Sequence, residues 1–294
     1  MSILKKGDKV GIVSPSGYLW TKDYIDPGVK HLVELGLVPV FAEHVYDRFR
    51  YMAGTPLARA EDLMKFYKDP EIKAIFATRG GAGAQYILPL LDYKVIKNNP
   101  KPLFGFSDIT SLHMGIYAKT NVAGYSGFLL GFNFKDGKIF AKTKKSLDAI
   151  IKGEKLELKS GKCVIEGKAK GKLVGGCLSV LSDLCGTEFY PDLSDAILLF
   201  EDVGEKTYRI DLMLNQIRLN PNFSKIKGIV FGQFVDAEER HKGDGSVNDV
   251  IKEFCKDLKV PVIKDFAYSH SKECYVLPIG KEVVLDASNC RITF

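Results

Sequence analysis

The sequence predicts an α/β protein of two domains. Over the first 130 residues, short apolar runs alternate with segments of helical periodicity, which is typical of a parallel sheet covered by helices on both faces. A Lys-rich, Gly-punctuated stretch then breaks this pattern, and strands and helices resume beyond it. We therefore expect an N-terminal α/β domain over 1–140, a linker region over 141–170 and a C-terminal domain over 171–294.

In the N-terminal half the predicted strands and helices follow one another regularly. The strands are expected at 10–14, 38–42, 72–77 and 103–106, and the helices at 25–35, 57–67, 85–91 and 109–118. Catalytic loops of parallel sheets lie at the carboxyl ends of the strands. Ser14, the glycine-rich turn at 79–81 and Ser107 all follow such ends, so we expect them at one edge of the sheet.

The C-terminal half contains apolar runs of strand length and several helical segments. The strands are expected at 196–200, 228–234, 260–263 and 283–285, and the helices at 178–184, 208–219 and 247–258. Glu201 follows the first of these strands directly. A charged residue in that position lies either at a harmless sheet rim or in a site.

Composition excludes several classes of function. The net charge is +6, without a basic run interleaved with aromatic residues, so nucleic acid is not an expected partner. No signal peptide and no apolar run of transmembrane length is present, which predicts a cytoplasmic protein without a membrane partner. The six cysteines form no CxxC pair or Cys/His cluster, so we expect a reducing compartment and no metal.

The segment "PLFGFSDITSLH", residues 102–113, places a serine where a strand turns into a helix. Ser107, Asp108 or Thr110 could cap the helix, because their oxygens accept N–H groups of the first turn. Alternatively, Ser107 lies on a nucleophile elbow, which exposes its Oγ above the sheet. The usual Gly-x-Ser-x-Gly pattern is half present, since Ile109 stands where the second glycine would be.

The segment "RGGAGAQY", residues 79–86, follows a predicted strand and precedes a helix. It lacks the Gly-Lys-Ser/Thr of a P-loop, and Tyr86 stands where the dinucleotide fingerprint has its third glycine. Its backbone could approach a ligand and donate N–H groups, or the segment could be a plain strand-to-helix turn. Both interpretations stay open.

A serine nucleophile needs a base and a carboxylate that orients the base. The chain offers five histidines: His31, His44, His113, His241 and His270. His113 lies six residues after Ser107 on the same predicted helix, so its side chain should point away from the serine. His241 lies in a charged loop. His270 lies in a loop between two strands, where a surface role is the ordinary alternative. Glu201 is the candidate carboxylate.

Several blocks, in order along nearly the whole chain, resemble the LD-carboxypeptidase family of serine peptidases. This family includes muramoyltetrapeptide carboxypeptidases and microcin-C self-immunity hydrolases. The blocks are "GDKVGIVSPSG", "ATRGGAGAQYILPLLDY", "KPLFGFSDITSLH", "GKLVGGCLSVLSDLCGT", "ILLFEDVGEKTYRIDLMLNQIR", "GIVFGQF" and "VLPIG". The resemblance implies an N-terminal α/β domain and a C-terminal domain with helices and a barrel-like β-structure.

The resemblance also implies a triad of Ser107 as nucleophile, His270 as base and Glu201 as its orienting carboxylate, without metal or cofactor. The oxyanion would bind to the N–H of Asp108 and to a second N–H, from Gly80 or Gly81. Two positions depart from the family. Ser269 precedes the histidine where a glycine is usual, and "AGYSG" at 123–127 replaces a His-Gly-Pro-like stretch.

The implied reaction is hydrolysis of an L,D-amide bond, with release of the terminal D-Ala from murein tetrapeptide in cell-wall recycling. Arg79 could bind a substrate carboxylate or form a structural ion pair. One alternative function is hydrolysis of aminoacyl-nucleotide antibiotics, although the compact chain with Trp20 as its single tryptophan favours the peptidase. Another is a non-catalytic binder of small ligands. A homodimer stays open as the assembly.

Overall fold

The computed structural model describes residues 3–272 and 274–294, and it divides into two compact units. The first unit comprises the chain up to Leu156 together with Tyr275–Gly280. The second comprises Glu157–Cys274 and Lys281–Phe294. Within the described residues, no helix combines the length and the apolar character needed to cross a bilayer.

The first unit alternates strands and helices, as the sequence predicts. Its elements before the chain leaves the unit are β1 (Lys9–Val13), α1 (Asp26–Glu34), β2 (Val38–Phe41), α2 (Pro56–Lys68), β3 (Ile72–Ala77), α3 (Tyr93–Asn98), β4 (Leu103–Gly105), α4 (Thr110–Thr120), β5 (Gly124–Ser126), β6 (Phe134–Lys135), β7 (Lys138–Ile139) and α5 (Ala141–Lys152). The segment expected as a helix at 85–91 is a 3-10 helix, Ala84–Leu90, which contains Pro89.

Among its described residues, the second unit contains a larger sheet and three α-helices. Its elements are β8 (Glu157–Lys159), β9 (Lys162–Ile165), β10 (Lys168–Cys177), α6 (Leu178–Asp183), β11 (Ala196–Val203), α7 (Thr207–Arg218), β12 (Gly228–Val235), α8 (Val247–Cys255) and β13 (Val262–Lys264). The chain then contributes β14 (Leu277–Ile279) to the first unit and ends in the second with β15 (Glu282–Asp286) and β16 (Arg291–Thr293).

The sheet of the first unit has the order β14-β5-β4-β3-β1-β2. Its first five strands in the chain pair in parallel, and β14 pairs antiparallel with β5. Phe76, Phe104 and Tyr125 occupy matching positions on β3, β4 and β5 and stack, with ring centroids 4.4 and 4.8 Å apart. Each such aromatic pair contributes about 1 kcal/mol beyond its burial. The predicted α/β fold is confirmed.

The sheet of the second unit has the order β8-β16-β15-β10-β11-β12-β13-β9. Strands β10 to β13 run parallel, and the flanking strands pair antiparallel. The two end strands, β8 and β9, are separated in the chain only by Ser160 and Gly161. The sheet must therefore curve until its two ends approach each other. The barrel-like form implied by the family stays a prediction that this connection supports.

The stretch 141–170, expected as a linker, contains regular structure. It holds α5 in the first unit, β8 and β9 in the second, and the start of β10. The lysines within α5 lie on its solvent side, while Leu147, Ile150 and Ile151 are buried on the other side. The change of unit falls between Leu156 and Glu157 rather than across a separate linker.

His44 and Asp62 supply a pH-dependent contact in the first unit. His44 Nδ1 lies 2.9 Å from Asp62 Oδ1, and its backbone N–H donates to Oδ2 over 3.0 Å. The hydrogen bond to the Asp62 carboxylate raises the pKa of His44, and the attraction of that charge adds to the effect. A raised pKa means that protonated His44 stabilises the fold, with the full effect below the unfolded pKa of about 6.5.

We expect His44→Gln to lower the free energy of unfolding more at pH 5.5 than at pH 8.5. The stabilisation by His44 is lost as pH rises through its folded pKa. The free energy of unfolding of parent and variant should therefore differ less at the higher pH. The difference should be about 1 kcal/mol or less, because the pair is only partly buried. Urea unfolding at the two pH values measures it. An equal loss at both would contradict a charged His44–Asp62 pair.

Candidate active site

Ser107 lies in a strained turn between β4 and α4. Phe106 is extended, with φ −163°, whereas Ser107 has φ +64° and opens a 3-10 turn, Ser107–Ile109, that leads into α4. A left-handed conformation costs a non-glycine residue about 1–2 kcal/mol, so the surrounding structure must impose it. The residues at the N-cap positions of the 3-10 turn and of α4, Phe106 and Ile109, make no side-chain cap hydrogen bond. A sharp left-handed turn at Ser107 is the feature that the elbow interpretation requires.

Gly80 allows the neighbouring loop to approach Ser107 closely. A Cβ at this position would lie 2.8 Å from Ser107 Cβ and 3.1 Å from its Oγ, tighter than side chains normally pack. The N–H of Gly17 also donates to the Gly80 carbonyl over 3.1 Å. The loops after β1, β3 and β4 therefore meet around the serine, as the parallel sheet predicts.

The Asp108 side chain ties these loops together. Its Oδ2 accepts from Ser16 Oγ over 2.5 Å and from the Ala84 N–H over 2.8 Å, and the side chain is buried. On α2, the buried Arg59 donates to the carbonyls of Pro15 over 2.6 Å and Gly83 over 2.9 Å. The sequence analysis predicted neither the loop contacts of the Asp108 carboxylate nor those of Arg59. Local pattern indicates neither a buried arginine nor the loop groups that it binds.

Arg79 is held by a carbonyl and an aromatic ring. Its Nη1 donates to the Tyr18 carbonyl over 2.9 Å, and its guanidinium carbon lies 3.9 Å from the Trp20 ring centroid. These contacts, and not a carboxylate, are the partners that the structure gives Arg79 within the described residues. The ion-pair alternative for Arg79 therefore receives no support there.

In the second unit, Glu201 and His270 form a close pair. Glu201 is fully buried near the end of β11, and its Oε2 lies 2.7 Å from His270 Nδ1. Burial raises the pKa of the Glu201 carboxyl, and the contact with His270 offsets part of this effect. The other oxygen, Oε1, has no hydrogen-bond partner among the described residues.

A β-bulge places two residues of β12 opposite Glu201. Phe200 pairs with Phe231 and Asp202 pairs with Phe234, so Gly232 and Gln233 share the position facing Glu201. A Cβ on Gly232 would collide with the Tyr268 carbonyl oxygen and lie 3.0 Å from Glu201 Cβ. The missing side chain thus lets the His270 loop come close to β11. Bulges often aim a side chain beside an active site.

The remaining histidines have other surroundings. His31 contacts Asp148 and His44 contacts Asp62. His113 is buried with Nε2 3.1 Å from the Leu103 carbonyl, and burial lowers its pKa to about 4. His241 is exposed in a turn, as expected. Across residues 3–272 and 274–294, no three His, Cys, Asp or Glu side chains are grouped closely enough to bind a metal.

The structure brings the predicted site residues together in two groups. Ser107, Asp108, Arg79, Gly80 and Gly81 lie around one edge of the sheet in the first unit. Glu201 and His270 are hydrogen-bonded to each other in the second. The first group surrounds the turn at Ser107, and the second pairs a histidine with a buried carboxylate.

Comparison with protein families matches the chain twice. The LD-carboxypeptidase N-terminal domain matches residues 10–127, and the LD-carboxypeptidase C-terminal domain matches residues 170–285. A protein of Synechocystis sp. that carries a provisional carboxypeptidase name is 32% identical over 99% of this chain and 95% of its own. The chain belongs to the LD-carboxypeptidase family. It is accordingly a peptidase, and the family resemblance read from the sequence blocks is confirmed.

Two other proteins that are similar to this chain carry different functional names. The murein tetrapeptide carboxypeptidase of Pseudomonas aeruginosa is 27% identical, over 96% of this chain and 94% of its own. The microcin C7 self-immunity protein MccF, known from Escherichia coli, has a solved structure with TM-score 0.89 and 26% identity. That alignment covers 99% of this chain and 96% of MccF. The likeness thus includes both units.

Proposed function

We propose that this LD-carboxypeptidase family member is a serine carboxypeptidase that releases the terminal D-Ala from murein tetrapeptide in cell-wall recycling. The observation that carries the proposal is the strained turn that holds Ser107 beside Gly80 in a chain of this family. The Glu201–His270 pair supplies the base that such a serine needs. The murein tetrapeptide carboxypeptidase of Pseudomonas aeruginosa supports the substrate class.

In this proposal, His270 takes the proton of Ser107 as Oγ attacks the carbonyl carbon of the scissile amide. Because His270 Nδ1 faces the Glu201 carboxylate, its N–H is held there and Nε2 is left with the lone pair that accepts the proton. The same Nε2 then protonates the leaving amine of D-Ala. Water hydrolyses the resulting acyl-enzyme by the reverse sequence of proton transfers.

The oxyanion of the tetrahedral intermediate would bind to the N–H of Asp108 and to that of Gly80 or Gly81. Gly80 supports this assignment because it packs directly against Ser107. Asp108 itself is fixed by the hydrogen bonds of its carboxylate to the two adjacent loops. One such donor typically lowers the barrier by about 3 kcal/mol. Donors held in place before the reaction need no reorganisation during it.

Arg79 would bind the terminal carboxylate of the substrate. The Tyr18 carbonyl uses one N–H of the guanidinium and the Trp20 ring covers one face, so the remaining donors stay in a fixed plane. A planar fork of donors matches a carboxylate in two hydrogen bonds. Arg79 also lies two residues beyond the end of β3 and next to Gly80, one of the two proposed second oxyanion donors.

The rival activity is hydrolysis of an aminoacyl-nucleotide. MccF has been solved with adenosine monophosphate and with aspartyl sulfamoyl adenosine, which are ligands of that protein. Incubating the enzyme with murein tetrapeptide and, separately, with an aminoacyl-nucleotide distinguishes the two activities by mass spectrometry. The peptidase proposal requires loss of one alanine from the tetrapeptide at the higher rate.

Ser107→Ala should reduce D-Ala release by several orders of magnitude, because it removes the atom that forms the acyl bond. Glu201→Gln should reduce it less, since it disturbs the orientation of His270 and leaves both reacting groups in place. Release of D-Ala measured by mass spectrometry checks both variants, with circular dichroism as the control for folding. Near-parental release by folded Ser107→Ala would show that the nucleophile is wrongly assigned.

Arg79→Lys should raise KM or lower kcat about tenfold, because a lysine cannot make two coplanar hydrogen bonds to one carboxylate. The matched test substrate is the tetrapeptide with an amidated C-terminus. If Arg79 binds the carboxylate, amidation should weaken turnover by the parent enzyme and matter much less to the variant. Equal sensitivity of both enzymes to amidation would assign Arg79 a structural role.

A further inference from the structure

The two residues on either side of His270 are fastened to one side chain. Ser269 Oγ and Ser271 Oγ each lie 3.0 Å from Gln233 Oε1, and 2.8 Å from each other. The N–H of Ser271 also donates to Ser269 Oγ over 3.2 Å. The two residues that flank His270 in the chain are therefore bound to each other and to the same amide oxygen.

The hydrogen-bonding capacity of these groups fits the arrangement. A carbonyl oxygen has two lone pairs and can accept from both hydroxyls at once, and a hydroxyl can also accept from an N–H. Two hydroxyl protons serve three oxygen–oxygen contacts, so at most two of these contacts are hydrogen bonds at one time. Ser269 is fully buried, which makes an unsatisfied hydroxyl there costly.

Gln233 is itself fixed by the strand that faces Glu201. It belongs to the bulge of β12 opposite Glu201, and its backbone N–H donates to the Tyr268 carbonyl over 3.1 Å. Its neighbour Gly232 gives the Tyr268 segment room to approach. One short stretch of β12 thus contacts the loop before His270, the serines that flank it and the strand position of its carboxylate partner.

We propose that Gln233 is a positioning residue for His270: by binding Ser269 and Ser271 together, it keeps the imidazole Nδ1 on Glu201 and Nε2 directed to substrate. This inference rests on the proposed function, in which His270 is the base. The proposal adds a residue that orients the base of the triad, and it leaves the proposed reaction unchanged.

The primary test compares Gln233→Leu with the parent enzyme on murein tetrapeptide. The substitution keeps the side chain's approximate size and removes the acceptor. It should lower kcat about ten- to a hundredfold with little change in KM, because the peptide still binds while its base is misoriented. Ser269→Ala and Ser271→Ala should each have a smaller effect, since one hydroxyl remains on Gln233. The double serine variant should match Gln233→Leu.

Gln216→Leu is the matched control. Ser182 Oγ donates to Gln216 Oε1 over 2.5 Å, a contact of the same type between α6 and α7 in the same unit. This variant should lose a Ser–Gln hydrogen bond and some thermal stability, yet retain the parental kcat. If Gln216→Leu lowered kcat as much as Gln233→Leu, the effect would be general destabilisation and the proposal would be wrong.

A readout independent of activity comes from nitrogen NMR with 15N-labelled histidine, which reports the nitrogen that carries the ring proton. His270 in the parent should show a protonated Nδ1 and an unprotonated Nε2, and Gln233→Leu should show averaged signals from both. His270→Gln assigns the signal. Unaltered His270 signals and unaltered kcat in both Gln233→Leu and the double serine variant would overturn the proposal.

The two levels of inference fail differently. If Ser107→Ala or His270→Gln remained fully active, the proposed triad would be wrong, while the NMR signals would still decide whether Gln233 orients His270. If both variants were inactive and the Gln233 variants behaved as the parent, the triad assignment would be retained and the positioning role of Gln233 would be wrong. Should Gln233→Leu fail to fold, the double serine variant provides the same kinetic and NMR comparison.

Discussion

The hydrogen bond between Glu201 and His270 offsets part of the cost of burying a carboxylate completely inside the second unit. Such a group is expensive to bury alone, and one of its oxygens has no partner among the described residues. The fold keeps this pair together through the β12 bulge, where Gly232 makes room for the histidine loop and Gln233 binds the serines around it. An arrangement that opposes stability yet is held by several elements is typical of catalytic machinery.

In the first unit, too, several elements hold an unfavourable feature in place, here the backbone conformation of Ser107. Ser107 takes a left-handed conformation that a side chain normally avoids, and the Asp108 carboxylate anchors the turn to the loops after β1 and β3. The buried Arg59 binds the carbonyls of the same loops, and burial lowers its pKa while the Asp108 charge partly restores it. The oppositely charged Asp108 and Arg59 thus hold these loops and the turn at Ser107 in place.

Local pattern was sufficient for the parallel sheet of the first unit, because its apolar runs end in turn residues. It was insufficient wherever structure depends on distant partners. Strands β8 and β9 pair with residues near 291 and 262, so the Lys-rich stretch looked like a linker. Strand β14 joins β5 from more than 100 residues away. Gln233 likewise gains its role only when the bulge brings it to Ser269 and Ser271.

The most direct measurement is a crystal structure of the Ser107→Ala enzyme with murein tetrapeptide bound. We predict that the scissile carbonyl carbon lies next to residue 107, with its oxygen on the N–H of Asp108 and the terminal carboxylate on Arg79. His270 Nε2 should stand about 3–4 Å from the position that Oγ would occupy, with Nδ1 on Glu201. A closed complex in which His270 is remote from residue 107, with another histidine in its place, would contradict the triad.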